Sequence, residues 1–385
     1  MIIKDVQDSS PSPEDGYPAG TTVAKEASVL SPQDDADVST ATAEITRAQL
    51  SLRKRILNWR TLLPLAVVVI ALIIFARQAK IDPQKTLAAI RSANTLFLLA
   101  AFIIYYLSFP LRALRWRFLL QNVGFTRANG VHLPKFWKIV EIIYISWFAN
   151  AIVPAKLGDL YRAYLLRQET GVSGSRSFGT VLAERLLDLI VLLLLCISAV
   201  MISLHDTMPW QIRFGLMIAL AAVIVGVIGL FVLRLFRTHI ARLVPARFRE
   251  HYNHLQEGTL GSFRHLPTLT GLTVGVWSCE SLRFFFVVLS LNLIRGSLLH
   301  IIAAALFIAL VEALLTAIPF TGGGVGLVEG GMIAVIALFT PNATSLALAA
   351  IVLDRSISLL SILVIGFVVF MIAFGRQATK PSATA

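Results

Sequence analysis

Charged side chains occur inside long apolar segments of this sequence, where each of them needs a partner or a polar cavity. Glu184, Arg185 and Asp188 lie within one such segment, and Asp354 and Arg355 lie within another. A charge at the centre of a membrane helix costs about 2.5–3.5 kcal/mol on insertion scales, so such residues usually serve binding or transport. Arginine binds phosphate through paired N–H donors, and carboxylates balance arginines or bind cations. The pattern favours a charged path for an ionic group, and structural ion pairs between helices are the alternative.

Three further charged residues, Glu280, Arg283 and Glu312, stand in apolar segments of the same kind. Arg283 is a third candidate, beside Arg185 and Arg355, for holding a phosphate through paired donors. The sequence shows no zinc-ligand spacing and no Gly-Lys-Ser/Thr phosphate loop. We therefore expect no metal site, no cofactor and no soluble catalytic domain.

The apolar segments that contain these charges are long enough to cross a membrane. The chain has 385 residues, of which 56% are hydrophobic and 15% charged, and a crossing helix needs about 20 apolar residues. The main segments are residues 62–76, 96–110, 180–203, 212–233, 269–294, 298–318 and 345–374. The composition excludes an ordinary soluble protein and predicts an all-α polytopic membrane protein.

Charge is unevenly distributed along the chain, whose formal net charge is +12. Residues 1–46 contain nine acidic residues and two lysines and show no periodicity, so we interpret residues 1–50 as a disordered acidic cytoplasmic tail. Residues 51–377 form the predicted transmembrane domain, and residues 378–385 form a C-terminal tail. The basic residues lie mostly between apolar segments, which indicates cytoplasmic loops and anionic lipid rather than nucleic acid.

Orientation follows from the basic residues that flank the segments. Arg53, Lys54 and Arg55 precede the first segment and place the N-terminus in the cytoplasm, and the protein is expected in a bacterial inner membrane. A later basic stretch is predicted to form a belt at the membrane interface. This belt consists of Arg112, Arg115, Trp116 and Arg117.

Residues 136–153 lie between two basic loops, so a single crossing does not fit them. The simplest solution is a re-entrant hairpin, broken at Pro154 and Gly158, and such broken backbone requires surrounding protein or a water-filled cavity. Residues 298–339 then form a second hairpin that enters from the opposite face. We predict about six full spans plus two re-entrant helical hairpins. The alternative has about eight spans, with 298–318 as an ordinary span.

The second half of the chain repeats features of the first at an offset of about 164–170 positions. Pro154 recurs as Pro319, and the glycine break at 158 recurs at 322–324. The pair at 184–185 recurs as the acid–arginine pair at 354–355. We therefore predict inverted repeats at about 96–204 and 268–374, an arrangement typical of transporters with a central binding site.

Two features beside the hairpins have both a structural and a functional interpretation. Asp159 either caps the helix that begins after Gly158 or binds an ionic group. The glycines at 322–324 either permit a tight turn or present free N–H groups to a phosphate at the start of a helix over residues 327–339.

Three motifs resemble those of the flippase-like membrane-protein family, which includes the membrane domain of lysylphosphatidylglycerol synthases. The first motif runs from Pro154 through Lys156 and Gly158-Asp159 to Arg162, and the second runs from Pro319 to Glu329. The third motif is an acid–arginine pair followed by an acid at residues 184, 185 and 188. The resemblance covers roughly residues 55–375.

The resemblance implies that the protein moves a lipid or a lipid-linked headgroup between leaflets. Because no nucleophile–base pair or metal cluster stands out in the sequence, we expect that it is not an enzyme. The expected partners are membrane lipids with an anionic or polyprenyl-phosphate-linked headgroup, together with a second copy of the chain or a lipid-modifying enzyme. A secondary transporter of a small ionic solute and a membrane-embedded lipid transferase, with Glu329 or Asp159 as base, are the alternatives. The candidate substrate-binding residues are Lys156, Gly158, Asp159, Arg162, Glu184, Arg185, Asp188, Arg283, Gly323, Gly324, Gly326, Glu329, Asp354 and Arg355.

Overall fold

The computed structural model of this chain describes residues 82–153, 156–203, 210–236, 245–317, 324, 326–341 and 343–378. These residues form helices joined by connecting segments, and no strand occurs among them. The expected N-terminal tail and the apolar segment at 62–76 lie outside the described residues. The prediction of an all-α polytopic membrane protein is confirmed.

The described helices fall into two similar series separated by α6 and α7. The first series is α1 (Pro83–Ser92), α2 (Thr95–Asn122), α3 (Phe136–Ile152), α4 (Leu157–Thr170) and α5 (Gly174–Ser203). Then follow α6 (Trp210–Leu235) and α7 (Ala246–Gly261). The second series is α8 (Leu266–Leu291), α9 (Leu298–Ala317), α10 (Leu327–Phe339), α11 (Thr344–Arg355) and α12 (Ser361–Ala378), with a π-helical segment Ser356–Leu360 between the last two.

Capping side chains and a glycine in the left-handed conformation determine where several helices begin or end. The Asp82 carboxylate accepts hydrogen bonds from the backbone N–H groups of Gln84 and Lys85 at the start of α1, and Asn94 caps α2. These oxygens satisfy N–H groups that have no partner within the helix. Gly171 ends α4 with φ +71, a left-handed backbone conformation that favours glycine.

Six stretches of the described chain are long and apolar enough to cross a membrane. They are α2, α5, α6, α8, α9 and the continuous stretch from α11 into α12. In α6, no residue of the most apolar 18-residue window is buried inside the protein. A helix that exposes such a surface is stable in hydrocarbon but not in water, which agrees with an integral membrane protein.

Contacts between the two series are reciprocal. Helix α2 packs against α8, which precedes the pair α9–α10 in the second series as α2 precedes the pair α3–α4 in the first. Helix α3 packs against α12, and in the same way α9 packs against α5. Each series therefore supplies helices to the core of the other. This exchange agrees with the predicted internal repeat, while the opposite orientation of the two halves in the membrane stays a prediction.

The two predicted hairpins are helix pairs in the structure. Helices α3 and α4 pack against each other, and so do α9 and α10. Pro154 and Pro319 lie outside the described residues. The α3–α4 pair depends on Gly158, because a Cβ atom there would lie 2.1 Å from the Ser146 carbonyl oxygen. The re-entrant character of both pairs stays a prediction, and α9 has the length and composition of a full span.

Candidate functional site

The first half of the molecule contains a buried ion-pair network centred on Arg115 of α2. Its guanidinium donates to Asp188 at 2.5 Å, to Glu184 at 2.8 Å and to the Thr273 hydroxyl at 3.0 Å. Glu184 and Asp188 are one turn apart on α5, so both point to the same side of the helix. Arg115 is completely buried, and its two acidic partners keep its charge compensated.

Helix α4 supplies a second layer to this network. Arg162 forms an ion pair with Glu184 at 3.1 Å, and its guanidinium lies over the ring of Trp116 at 4.7 Å from the centroid. Asp159 accepts two hydrogen bonds from Arg185, from Nε at 2.8 Å and from Nη2 at 2.7 Å. This two-point pairing fixes the orientation of the Arg185 fork. The side chain of Asp159 binds Arg185 and Asn150, so the cap interpretation of Asp159 is not what the structure shows.

The second half contains a corresponding network centred on Arg283 of α8. Its guanidinium donates to Glu312 of α9 at 2.8 Å, to Glu280 at 3.3 Å and to Asp354 of α11. All four side chains are buried, and Asp354 has no exposed surface. Three carboxylates therefore share this single guanidinium.

Two further arginines complete the second network. Arg355 donates to Glu329 at 2.8 Å and lies 3.7 Å from Glu312. Arg112 of α2 donates to Glu280 at 2.5 Å and lies over the Trp147 ring at 4.3 Å from its centroid. Glu329 also accepts a hydrogen bond from the Gly326 N–H at the start of α10. Glu329 therefore occupies the N–H of Gly326, while the interpretation of the glycines at 322–324 as phosphate donors stays a prediction, since residues 322 and 323 lie outside the described residues.

The two networks use equivalent positions. Asp159 pairs with Arg185 and Glu329 pairs with Arg355, and both pairs are separated by 26 positions. Arg115 and Arg283 each bind the acid that immediately precedes the arginine of that pair, Glu184 in one half and Asp354 in the other. In each half, the acid of the acid–arginine pair binds the central arginine on α2 or α8, and the arginine of the pair binds an acid on α4 or α10.

Between the networks lies a cavity of about 400 Å³, a size within the range of small-molecule binding sites. Helices α2, α3, α4, α5, α8, α9, α11 and α12 and the π-helical segment all contribute residues to its lining. Its charged lining residues are Arg112, Lys156, Asp159, Arg185, Asp188, Glu280, Arg283, Glu312 and Arg355. Aromatic residues Tyr105, Trp147 and Trp277 line the same space. The cavity thus offers both charged and apolar surface to a ligand.

Lys156 differs from the other charged lining residues. Each of the others has an ion-pair partner, whereas Lys156 makes no ion pair with any residue that the structure describes. Its backbone has φ +56, a left-handed conformation that is unfavourable for a residue with a side chain. An unpaired ammonium group in a largely paired cavity is suited to binding an anion.

The structure brings most of the predicted site residues together. Six of them line the cavity, and Arg162, Glu184 and Asp354 lie in the buried layer behind them. Gly324 and Gly326 both have positive φ, at +73 and +92, as a turn before α10 requires. Gly323 lies outside the described residues. The six lining residues are Lys156, Asp159, Arg185, Asp188, Arg283 and Arg355.

The predicted interfacial belt is wrong for three of its four residues. Arg112, Arg115 and Trp116 are buried, and both arginines belong to the ion-pair networks. They lie in α2, which continues to Asn122 instead of ending near residue 110. Helical spacing was the available signal, because Arg112 and Arg115 fall on the face of Ser108 and Leu119. The apolar segment that was predicted for α2 was simply too short.

Comparison with known proteins gives a family and several relatives. Residues 62–366 match the family described as the lysylphosphatidylglycerol synthase TM region. The chain is 32% identical over 235 residues to a UPF0104 membrane protein of Methanocaldococcus jannaschii, covering 61% of this chain and 97% of that protein. A UPF0104 membrane protein of Methanothermobacter thermautotrophicus is 26% identical over 84% of this chain and 96% of its own length.

A third relative carries an enzyme name. The chain is 25% identical to glycosyltransferase AglD of Haloferax volcanii over 346 residues, which is 80% of this chain. The matched region spans 54%, about half, of that protein.

Proposed function

Because this chain belongs to the family of the lysylphosphatidylglycerol synthase transmembrane region, we propose that it is a lipid flippase or scramblase. It moves the headgroup of a phospholipid, or of a polyprenyl-phosphate-linked lipid, between the two leaflets. The observation that carries this proposal is Lys156, which makes no ion pair with a described residue and lines a cavity whose other charged residues are paired. A headgroup phosphate is an anion of the kind that this ammonium group binds.

Pairing with carboxylates lowers the free-energy cost of burying the arginines that line a polar path in this apolar protein. An arginine that already has a carboxylate partner is held in place without an uncompensated charge. A phosphate that enters at Lys156 next contacts the guanidinium group of Arg185. The paired N–H donors of this group can bind two phosphate oxygens as they bind the two carboxylate oxygens of Asp159. Arg185 shares its N–H donors between Asp159 and the phosphate, and the charge of Lys156 balances that of the added anion. The acyl chains remain in lipid while the headgroup crosses.

The protein would act in the cell membrane of its host with the N-terminus in the cytoplasm, as the basic residues indicate. The matched relatives named above are archaeal, so the proposal does not depend on a bacterial inner membrane. A second copy of the chain or a lipid-modifying enzyme is a compatible partner. Single cysteines at residues 321–326, in a Cys196→Ala/Cys279→Ala background, test the orientation by labelling from each side.

Two other functions give different results in the same preparation. A secondary transporter would take up a small ionic solute into sealed vesicles and leave lipid asymmetry unchanged. A membrane-embedded transferase would form a new lipid product, and the name of the AglD relative makes a glycosyl donor a reasonable substrate to include in that assay. Among the described residues, the acids of the site are paired with arginines, as expected for charge-balanced binding groups.

Reconstitution tests the proposal directly. The purified full-length chain in phosphatidylcholine vesicles receives fluorescent phosphatidylglycerol, phosphatidylethanolamine or a short polyprenyl phosphate, and dithionite bleaching reports transfer between leaflets. We expect transfer well above that of empty vesicles for a lipid with an anionic phosphate. Lys156→Gln should slow it by about tenfold, the effect of losing one charge-assisted hydrogen bond.

Lys85→Gln is the matched control, because the Lys85 side chain is 78% exposed on α1, away from the cavity. It should transfer lipid at the rate of the unmodified protein. No transfer above empty vesicles for any of the three lipids would count against a flippase or scramblase. Equal rates of lipid transfer for Lys156→Gln and the unmodified protein would show that Lys156 does not bind the headgroup during transfer.

A further inference from the structure

The network around Arg283 contains one acid more than it has arginines. Among the described residues, its acids are Glu280, Glu312, Glu329 and Asp354, and its cations are Arg112, Arg283 and Arg355. The ion pairs thus join four carboxylates to three guanidinium groups, and Lys156, which lines the same cavity, is not within ion-pair distance of any of these acids. An uncompensated buried carboxylate is strongly unfavourable, and a carboxyl group in that position binds a proton instead.

Asp354 is the carboxylate of this network that has no arginine of its own. Glu280 is bound by Arg112, and Glu329 is bound by Arg355. Glu312 lies beside two arginines, whereas the one arginine within ion-pair distance of Asp354 among the described residues is the shared Arg283. Oδ2 of Asp354 and Oε2 of its counterpart Glu184 are both buried without a hydrogen-bond partner, but Oε2 of Glu184 lies 3.1 Å from a second arginine, Arg162. A neutral carboxyl group needs no second cation, and its O–H needs only one acceptor.

The network around Arg115 has a second arginine beside its central acid, which the network around Arg283 lacks. In the first network, the equivalent acid Glu184 is bound by two arginines, Arg115 and Arg162. The position 170 residues after Arg162 is occupied by Met332, a buried apolar residue of α10. The second arginine of the first network therefore has no counterpart in the second. The two halves differ at the position that decides whether the central acid is fully compensated.

We infer that the Arg283 network is a proton-binding site, with the proton on Asp354, and that it couples headgroup movement to a proton gradient. This inference rests on the proposed function for its transport role. The proton comes from water in the cavity and forms an O–H bond at Oδ2, so that the carboxylate becomes a neutral carboxyl group. Ser358 lines the cavity four residues after Asp354, and its buried hydroxyl has no hydrogen-bond partner. It provides a polar group at the cavity wall about one helical turn from the acid.

Coupling follows from competition for the arginines. The groups that face Asp354 and its neighbours from the packed helices are Tyr105 and Arg112 of α2, Glu280 and Arg283 of α8, Glu312 of α9, Glu329 of α10 and Arg355 of α11. An anionic headgroup that binds Arg112 or Arg355 draws positive charge away from the carboxylates. Proton binding and headgroup binding then strengthen each other by the same factor. One headgroup charge and one proton cross together.

The test measures lipid distribution and protonation in the same preparations. Vesicles with fluorescent phosphatidylglycerol are given a one-unit pH gradient, with the membrane potential clamped by valinomycin and potassium. One-for-one coupling shifts the leaflet ratio by up to about tenfold toward the alkaline side, because one pH unit corresponds to a factor of ten in proton activity. Infrared difference spectra of the full-length protein should show the C=O stretch of a protonated carboxyl group at neutral pH.

Asp354→Asn should abolish both the gradient response and the infrared band. If that variant does not fold, Glu312→Gln decides, because it leaves three acids for three arginines and removes the excess. Glu257→Gln, on α7 outside the networks, should retain both signals. A leaflet ratio that ignores the gradient, together with no infrared band in an active protein, overturns the inference and leaves the flippase proposal intact. An infrared band that Asp354→Asn removes, in a protein that moves no lipid, supports the proton site and refutes the proposed function.

Discussion

Arg185 of α5 binds both carboxylate oxygens of Asp159 on α4, with Nε–Oδ2 and Nη2–Oδ1 distances of 2.8 and 2.7 Å. The Asp159 side chain is 11% exposed, and that of Arg185 is 35% exposed toward the cavity. The pair therefore lies at the boundary between the buried network and the space that a ligand can enter. In this position it can serve stability and binding at once.

Asp159→Asn should separate these two roles. The amide retains one acceptor for Arg185 but removes the negative charge, so we expect the protein to fold with a stability loss of about 1–3 kcal/mol. The freed arginine should bind anions more tightly and release them more slowly, which lowers lipid transfer. Thermal unfolding in detergent and the dithionite assay measure the two effects.

The charge-swapped double variant, Asp159→Arg with Arg185→Asp, is the control for that prediction. It restores the pair with reversed polarity and should recover stability relative to either single change. If the double variant is no more stable than the singles, the two side chains do not interact in the folded protein.

Arg115→Leu should be the most damaging single change in the first network. Glu184 and Asp188 would keep their buried positions with Arg115 gone, and breaking a buried ion pair in this way costs about 3–5 kcal/mol. We expect little monodisperse protein in size-exclusion chromatography after expression. Arg117→Leu changes a half-buried arginine of the same helix that makes no ion pair with the described residues, so it should behave like the unmodified protein. Equal yields of the two variants would contradict the central role of Arg115.

Gly158→Ala should disrupt the contact between α3 and α4. A Cβ atom would lie 2.1 Å from the Ser146 carbonyl oxygen and 2.7 Å from Asn150 Oδ1, so the helices must separate. Overpacking of this kind costs about 1–3 kcal/mol and would displace Lys156 and Asp159. Lipid transfer should fall together with thermal stability.

Gly174→Ala is the matched control for that change. Its Cβ atom would lie 3.5 Å from Arg167 Cδ, which is ordinary van der Waals contact. Transfer and stability should both stay near those of the unmodified protein. A Gly158→Ala protein with normal transfer would show that the hairpin tolerates a wider separation.

His254 lies on α7, outside the candidate membrane spans, and should make the stability of the protein depend on pH. Burial lowers the pKa of His254, with a further contribution from Arg176, and its Nδ1 lies 3.0 Å from the Ser173 hydroxyl. The folded protein therefore binds protons less readily than the unfolded chain, whose histidine has a pKa of about 6.5. The stabilising contribution is full above that pH and is lost as the pH falls through it toward the lower folded pKa.

Melting temperatures at pH 5.5 and 7.5 test this sign. The unmodified protein should melt at a lower temperature at pH 5.5, and His254→Gln should reduce the difference. His132→Gln, which changes an exposed histidine between α2 and α3, is the control and should leave most of the difference in place. A melting temperature that rises on acidification would contradict the lowered pKa.

Sequence reasoning located the charged residues of the site but not all of their partners. Glu184 and Arg185 are adjacent, and the sequence left open whether they pair with each other or bind a ligand. The structure pairs Glu184 with Arg115 and Arg162, and it pairs Arg185 with Asp159. Neighbouring residues on a helix point in different directions, so adjacency in sequence could not decide the pairing.

The sequence by itself determined the membrane class, the positions of the apolar helices and the repeated order of the charged motifs. These properties are local, because hydrophobicity and length decide whether a segment can cross a membrane. The tertiary structure decided which way each helix is rotated and therefore which charges meet. Arg112 and Arg115 turn inward because α2 packs along α8, a helix more than 140 positions away in the chain. The excess acid at Asp354 likewise appears only when contacts among α8, α9 and α11 are known, since charge compensation depends on distances between helices and not on their sequences.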